Sequence, residues 1–258
     1  MTETLHTTHH GDTAGIPLII APGLYGSARN WNVIAKRLSE FRPVIAVDMR
    51  NHGDSFHADT HSYADMAGDL AEVIIANGGR ADVLGHSMGG KAAMALALSR
   101  PDLIRKLIVA DIAPVTYAHE HSDKIAAMQA VDLSRVSRRR DAEDQLRNAI
   151  PDAQLRAFLL QSLALEGAAH WKLNLATLGA EMPEIMSFPT FNTQFFGPAL
   201  FLRGGNSAYL LAEHEPAIDT LFPNAQIETI PDAGHWLHAE QPRAFTDALT
   251  KFLDIPTP

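Results

Sequence analysis

Residues 81–100, ADVLGHSMGGKAAMALALSR, limit the possible folds more than any other segment. The apolar run 81–85 predicts a buried strand, and the alanine- and leucine-rich stretch that follows Gly89 predicts a helix. Only a tight turn of a few residues separates the two. A buried strand that passes directly into a helix is typical of parallel sheets with helices packed on their faces.

The rest of the chain repeats this alternation. Amphipathic segments separate the apolar runs, and the run 242–253 reads as a closing helix with proline at its start. We therefore predict an α/β fold with a mostly parallel central sheet flanked by helices. The other predicted strands are 17–21, 43–48, 106–111, 199–203 and 226–230.

The alternation stops between about residues 115 and 197. This stretch is rich in Ala, Leu, Gln, Arg and Glu and has no strand pattern. We predict that residues 115–197 form a small helical cap, inserted between the sixth and seventh core strands. Residues 1–114 and 198–258 would form the core, and 258 residues with 46% hydrophobic content suffice for such an arrangement.

Charge and cysteine content exclude several function classes. Thirty acidic against 21 basic residues give a net charge of −9, which disfavours nucleic acid and anionic lipid as partners. With no cysteine, a thiol nucleophile and a cysteine-ligated zinc are excluded. Residues 1–15 lack the pattern of a secretory signal, and no apolar run is long enough to cross a bilayer. We expect a cytoplasmic protein without stable membrane insertion.

Ser87 is the predicted nucleophile. Gly85-His86-Ser87-Met88-Gly89 fits the G-x-S-x-G pattern, with a strand before it and a helix after it. Small residues on both sides permit a sharp turn that raises the serine hydroxyl above the carboxyl end of the sheet. The helix that follows presents unpaired backbone N–H groups, so the Met88 N–H is a predicted oxyanion donor.

The loop 21–27, APGLYGS, is expected to supply the second oxyanion donor because it follows a central strand. Gly23 allows the backbone to approach a substrate closely. We prefer the Leu24 N–H as the donor, with Tyr25 as the alternative.

His235 is the best placed of the 13 histidines to act as the base. It follows the last predicted strand and precedes the final helix, which puts it at the same sheet edge as Ser87. His86 and His238 are interpreted as packed structural residues. His52, His57 and His61 with Asp54 lack a recognised metal-ligand spacing. They are interpreted as solvated loop residues, as are His6, His9 and His10, and no metal or other cofactor is predicted.

The acid that orients the base is predicted at Asp111. It ends the strand 106–111, which we expect between the nucleophile strand and the strand 199–203. Neighbouring strands lie about 4.8 Å apart, so a carboxylate at this rim can reach the imidazole. The turn after 199–203 contains Ser207 but no carboxylate, and Ser207 would form a supporting hydrogen bond. Glu213 is the weaker alternative.

The sequence also resembles the YbfF-type esterases of the α/β-hydrolase superfamily. The resemblance implies that the acid lies in the DIAP segment, at Asp111, and that Ser207 joins the hydrogen-bond network of the histidine. It also implies the α/β-hydrolase fold, and hydrolysis of acyl esters or acyl thioesters beneath a helical cap. One departure is Pro22, where the family usually has histidine before the oxyanion loop. The segments that carry the resemblance are PGLYGSARNW, VDMRNHGDS, YADMAGDL, GHSMGGKAAMALAL, LIVADIAPVTY, LRGGNSAY and AGHWLHAEQP.

These residues predict a carboxylesterase or acyl thioesterase that acts on small to medium acyl groups through an acyl-enzyme. The alternatives are a non-hydrolytic small-molecule-binding protein on the same fold, and other reactions of the triad such as perhydrolysis or C–C bond hydrolysis. Apolar residues of the predicted cap are candidates to line the acyl site. They are Met128, Leu159, Leu163, Trp171 and Leu175.

Overall fold

A seven-stranded sheet forms the centre of the computed structural model, which describes residues 3–118 and 121–255. The strand order is β1-β3-β2-β4-β5-β8-β9, and every neighbouring pair is parallel except β1 with β3. The strands are β1 Thr7–His10, β2 Leu18–Ala21, β3 Val44–Val47, β4 Ala81–His86, β5 Ile104–Ala110, β8 Ala199–Gly204 and β9 Ala225–Ile230. The predicted fold class and all six predicted strands are confirmed.

Alternate residues of the strands face two separate layers of core. Ile19 and Ala21 of β2 pack into one layer, and Leu18 and Ile20 pack into the other, as a period of two requires. The helices of the core are α1 Asn32–Leu38, α2 Tyr63–Ala76, α3 Met88–Ser99, α9 Glu215–Leu221, α10 Leu237–Glu240 and α11 Pro242–Phe252. Helices α2 and α3 cover one face of the sheet, and α1 and α11 cover the other.

Strand β1 was not predicted from the sequence. Its sequence, TTHH, has no apolar alternation, and it lies at the edge of the sheet, where Thr8 pairs with Ala46. A polar strand at an edge needs no apolar face, which explains why the pattern does not reveal it. His9 and His10 belong to this strand and not to a loop, so their interpretation as loop residues is wrong.

The insertion between β5 and β8 is mostly helical. It contains α4 Ser122–Gln129, α5 Arg139–Leu146, α6 Ala153–Leu159, α7 Leu175–Ala180 and α8 Met182–Met186, together with a two-stranded sheet of β6 Leu163–Ala164 and β7 His170–Trp171. These two strands were not predicted, because two residues each are too few to show a period.

The position of the insertion in the strand count differs from the prediction. It follows the fifth strand of the seven-stranded sheet and precedes the sixth, not the sixth and the seventh. Among the described residues, β1 is the single strand of the sheet that comes before β2. The strand that precedes the insertion, β5, is therefore the fifth strand and not the sixth.

Parallel pairing brings the carboxyl ends of β2, β4, β5 and β8 to one edge of the sheet. Clefts at this edge are the usual ligand sites of open α/β sheets. Within the described residues, every helix is too short or too polar to cross a membrane.

Candidate active site

Ser87 lies on a strained turn between β4 and α3. Its φ is 52° and its ψ is −121°, a conformation that L-residues rarely adopt. The turn is possible because Gly85 and Gly89, two residues to either side of Ser87, lack side chains. A Cβ at Gly85 would overlap the backbone of Gly89, and a Cβ at Gly89 would overlap the carbonyl oxygens of Ala21 and Pro22. The strained serine is thus held by close backbone packing on both sides.

Ser87, His235 and Asp111 come together at the carboxyl edge of the sheet. His235 Nε2 lies 3.1 Å from Ser87 Oγ, and His235 Nδ1 lies 2.7 Å from Asp111 Oδ2. The Asp111 side chain is fully buried, whereas the His235 side chain is 19% exposed. An ionised carboxylate only accepts, so Nδ1 donates to Asp111 and Nε2 can accept the serine proton.

The Asp111 carboxylate receives further donors from the last residue of β8 and from the turn that follows it. The Gly204 N–H donates to Oδ1 at 2.9 Å, and the Ser207 hydroxyl donates to Oδ2, the oxygen that also faces His235. The Tyr209 N–H in turn donates to Ser207 Oγ at 3.2 Å. These bonds satisfy the buried carboxylate and fix its direction.

Glu213, the weaker alternative, and Asp48, which follows a strand on the far side of the nucleophile strand, both have other partners. The Glu213 side chain is 76% exposed and lies 3.7 Å from His214. Asp48 is buried and accepts hydrogen bonds from the N–H groups of Ala28 and Asp54. Among these candidates, Asp111 is the one that contacts His235.

The loop after β2 packs directly against the serine turn. A Cβ built at Gly23 would lie 3.1 Å from Ser87 Cβ, so glycine permits this approach. The Tyr25 N–H donates to His52 Nε2 at 3.1 Å. This amide already has a protein acceptor, and the assignment of Leu24 as the oxyanion donor stays a prediction. Leu24 and Met88 line the same small cavity beside Ser87.

A cavity of about 180 Å³ opens beside Ser87 and His235. Tyr209 stacks on the His235 ring, with 3.8 Å between centroids, and forms part of the wall. The insertion contributes His121 and Lys124 near α4, and Leu155 and Phe158 from α6. Most of the wall is therefore aromatic or aliphatic. A second cavity of about 30 Å³ lies on the other side of Ser87, toward Lys91 and Tyr117.

None of the five residues predicted to line the acyl site lines either cavity beside Ser87, and these five include Trp171 and Met128. Both are buried within the insertion, where Trp171 Nε1 donates to the Met128 carbonyl at 3.0 Å. They pack inside the insertion itself, and Leu155 and Phe158 face the cavity instead. The sequence shows apolar residues on these helices, but it does not show which face is turned toward the core.

Four of the histidines in the described part of the chain are buried around the site. His86 and His238 are packed as predicted, and His238 stacks on Trp31 at 4.1 Å. The interpretation of His52 and His61 as solvated is wrong, because both are fully buried. Burial lowers the pKa of His52 to about 4, of His61 to about 2 and of His238 to about 3, and it holds the pKa of His86 well below 6.5.

His6, Asp48 and Asp54 form one group of potential metal ligands, with ligand atoms within 4.8 Å of one another. Their oxygens already have protein partners. Asp48 accepts two backbone N–H groups, and Asp54 pairs with Lys172 at 2.7 Å. These bonds explain the cluster without an ion.

Residues 18–248 match the model of the alpha/beta hydrolase family. The sn-1-specific diacylglycerol lipase ABHD11 of Mus musculus is 44% identical over 253 residues, which cover 94% of this chain and 82% of that protein. Esterase YbfF of Escherichia coli (strain K12) is 37% identical over 240 residues, 92% of this chain and 93% of that protein. A solved marine microorganism esterase is 42% identical with a TM-score of 0.93, and the match covers 97% of this chain and 100% of that one.

Proposed function

The chain belongs to the alpha/beta hydrolase family and is a carboxylic ester hydrolase, and we propose that Ser87, His235 and Asp111 carry out its reaction. The resemblance to the YbfF-type esterases is confirmed by the identity to Esterase YbfF. The single observation that carries the proposal is the continuous chain of contacts from Ser87 Oγ through His235 to Asp111 Oδ2, at 3.1 and 2.7 Å.

In the proposed first step, Ser87 Oγ attacks the ester carbonyl and His235 Nε2 takes the hydroxyl proton. Asp111 accepts from Nδ1, which holds the required tautomer and stabilises the imidazolium that forms. The tetrahedral intermediate collapses as His235 returns the proton to the departing alcohol, which leaves an acyl group on Ser87.

In the second step, water attacks the acyl carbonyl while His235 again acts as general base. The second tetrahedral intermediate releases the carboxylic acid, and the proton returns to Ser87. Both intermediates carry negative charge on the former carbonyl oxygen. We assign its stabilisation to the N–H groups of Leu24 and Met88, and loss of one such donor typically costs about 3–4 kcal/mol in the transition state.

The insertion, residues 115–197, is proposed to act as a cap over the site. The support is its contribution of Leu155 and Phe158 to the wall of the cavity beside Ser87. The apolar wall favours small to medium acyl esters. The mouse relative is a diacylglycerol lipase, so glyceride esters belong in the substrate panel, together with acyl thioesters. The cytoplasmic location stays a prediction.

The test is ester hydrolysis by point variants. We expect Ser87→Ala and His235→Ala to lower kcat on the order of 10⁶-fold, and Asp111→Asn on the order of 10⁴-fold. Glu213→Gln is the matched control and should keep wild-type turnover because its carboxylate is exposed and remote from His235. Normal turnover by Asp111→Asn together with collapse in Glu213→Gln would falsify the assignment of the acid.

A fluorophosphonate probe separates this proposal from a non-hydrolytic binding protein on the same fold. An activated Ser87 reacts covalently with the probe, and peptide mapping should find the adduct at this residue alone. A wild-type protein that stays unlabelled under these conditions would contradict the proposed mechanism.

A further inference from the structure

Two histidines occupy the loop that connects β3 to α2, behind the backbone that faces the substrate. His52 and His61 are fully buried, and their ring centroids lie 5.5 Å apart. Neither lines the two cavities beside Ser87. The mechanism above does not use them, yet all four of their ring nitrogens have partners.

The tautomer of His52 follows from its neighbours. Its Nδ1 lies 2.9 Å from the Arg50 carbonyl oxygen, which can only accept, so Nδ1 carries the proton. Nε2 therefore has a free lone pair and accepts the Tyr25 N–H at 3.1 Å. A buried, neutral imidazole thus joins the loop after β3 to the loop after β2.

The amide that His52 accepts belongs to a backbone that needs support. Tyr25 has a φ of 66°, a conformation that a bulky L-residue rarely adopts. Its N–H is part of the peptide that follows Leu24. When this peptide plane is fixed, the ψ angle of Leu24 is fixed as well, and so is the path of the loop beside Ser87.

His61 reaches the other side of the serine. The side-chain amide of Asn51 donates to Nδ1 at 3.2 Å and also to the Thr60 carbonyl, which identifies the amide nitrogen as the donor. Nε2 therefore carries the proton of His61. It points at Met88 Sδ, 3.2 Å away, and so restrains the residue that follows Ser87.

We infer that His52 and His61 are positioning residues for the oxyanion hole, with His52 holding the Leu24–Tyr25 peptide and His61 holding Met88. The inference rests on the proposed function, because it presumes that Leu24 and Met88 are the donors. Burial keeps both rings neutral at the pH of an esterase assay, since the pKa of each lies far below 7.

Two substitutions at position 52 separate positioning from packing. His52→Asn keeps a donor near the position of Nδ1 but has no atom near Nε2, so it loses the bond to Tyr25. His52→Gln places an amide oxygen near Nε2, where it can accept the Tyr25 N–H. We expect His52→Asn to lower kcat about 10- to 100-fold with little change in KM. This loss is smaller than the loss from deleting an oxyanion donor. We expect His52→Gln to recover most of the lost kcat.

A tetrahedral mimic gives a second measurement. A trifluoromethyl ketone forms a hemiketal oxyanion with Ser87 and occupies the donors directly. Its affinity should fall in His52→Asn by the same factor as kcat/KM, whereas the KM for a neutral ester stays near that of the wild type. Equal losses in the Asn and Gln variants, or a loss expressed in KM alone, would show that His52 only fills space and would overturn the inference.

The same pair of substitutions at position 61 tests the contact with Met88. His61→Asn loses the donor to Met88 Sδ, and His61→Gln retains one. We expect kcat to be lower in His61→Asn than in His61→Gln, as at position 52. The difference between the two variants should be smaller, because a thioether is a weak acceptor. Identical kinetics for the two variants would remove His61 from the inference and leave His52 alone.

The wild-type protein provides a test that does not depend on whether the variants fold. In ¹⁵N-histidine NMR at neutral pH, Nε2 of His52 should be unprotonated and coupled through the hydrogen bond to the Tyr25 amide proton. A protonated Nε2 would overturn the inference. Failure of the proposed function is distinguishable, because it would appear as a wild-type Ser87 that does not react with a fluorophosphonate.

Discussion

At the scale of single residues, Asp111 joins three parts of the chain. It follows β5 with a φ of 52°, accepts from Gly204 at the end of β8 and from Ser207 in the turn after it, and faces His235 after β9. Aspartate tolerates a left-handed backbone better than most residues, because its short polar side chain can bond locally. The carboxylate is thus aimed by bonds from two turns as well as by its own strand.

Removal of one of these donors should slow the reaction without abolishing it. In Ser207→Ala, Asp111 Oδ2 keeps His235 but loses a hydroxyl donor in a fully buried site. A hydrogen bond to a charged group contributes about 1.5–3 kcal/mol, so we expect kcat to fall roughly 10- to 100-fold with KM unchanged. Steady-state ester hydrolysis measures both constants.

Ser99→Ala is the control for this prediction. Its hydroxyl donates to the Ala95 carbonyl one turn back in α3, away from the active site. Wild-type kinetics in both variants would mean that Ser207 does not support Asp111 during turnover.

The residues proposed to bear the chemistry could be located at one edge of the sheet from the sequence, because strand ends and turn residues indicate their positions. Ser87 lies in a glycine turn, and Asp111 follows an apolar run whose neighbour in the sheet can be inferred. His52 could not be recognised in the same way. Its environment depends on the loop after β2, which lies 27 residues away in sequence. A local pattern contains no information on such a contact.

At the scale of elements, β4 and α3 form one unit whose packing depends on glycine. Helix α3 begins so close to the end of β2 that Gly89 faces the carbonyl oxygens of Ala21 and Pro22 without a side chain between them. This approach brings the start of α3 next to the loop that contains Leu24. The two proposed oxyanion donors are therefore brought together by the packing of two elements.

Gly89→Ala should therefore disturb both stability and activity. The added Cβ must displace backbone, and such overpacking typically costs roughly 1–3 kcal/mol. We expect the free energy of unfolding, measured in urea, to fall by about this amount. We also expect kcat for ester hydrolysis to fall by more than the loss of stability alone would cause. The loss in kcat follows because the displaced backbone includes the loop that contains Leu24.

Gly68→Ala is the matched control, because a Cβ there meets no atom within 4 Å in the middle of α2. It should stabilise the protein by up to about 1 kcal/mol through helix propensity. Two variants of equal stability would contradict the close packing at Gly89.

The sequence was sufficient for elements with a long apolar period and insufficient for short or polar ones. The six predicted strands each contribute buried residues to the sheet. Strand β1 is recognisable only through its pairing with β3, and β6 and β7 only through their pairing with each other. Pairing partners are tertiary information. The same limit explains why Trp171 and Met128 were assigned to the wrong surface.

At the scale of the whole molecule, four buried neutral histidines make the fold sensitive to acid. The pKa values of His52, His61, His86 and His238 are lowered by burial, while the unfolded chain binds these protons near pH 6.5. The unfolded state thus holds more protons below pH 6.5. Stability is complete above that pH and is lost as the pH falls toward the lowered pKa values.

We expect the free energy of unfolding in urea to fall by several kcal/mol between pH 7 and pH 5, at up to about 1.4 kcal/mol per pH unit for each histidine. His238→Phe cannot bind a proton and should flatten this dependence, while His170→Gln, on the surface, should leave it unchanged. A protein equally stable at pH 5 and pH 7 would contradict the burial of these rings.

The two ends of the inserted segment differ in their distance from the active site, which matters if the segment is replaced by that of a homologue. Strands β5 and β8 are parallel neighbours, so the segment departs beside Asp111 and must return to the opposite end of the sheet before Ala199. No short hairpin can replace it, because a parallel crossover needs about a dozen residues or more. In a chimera with the inserted segment of a homologue, changes at the junction beside Asp111 would alter reactivity. The junction before Ala199 would tolerate changes better.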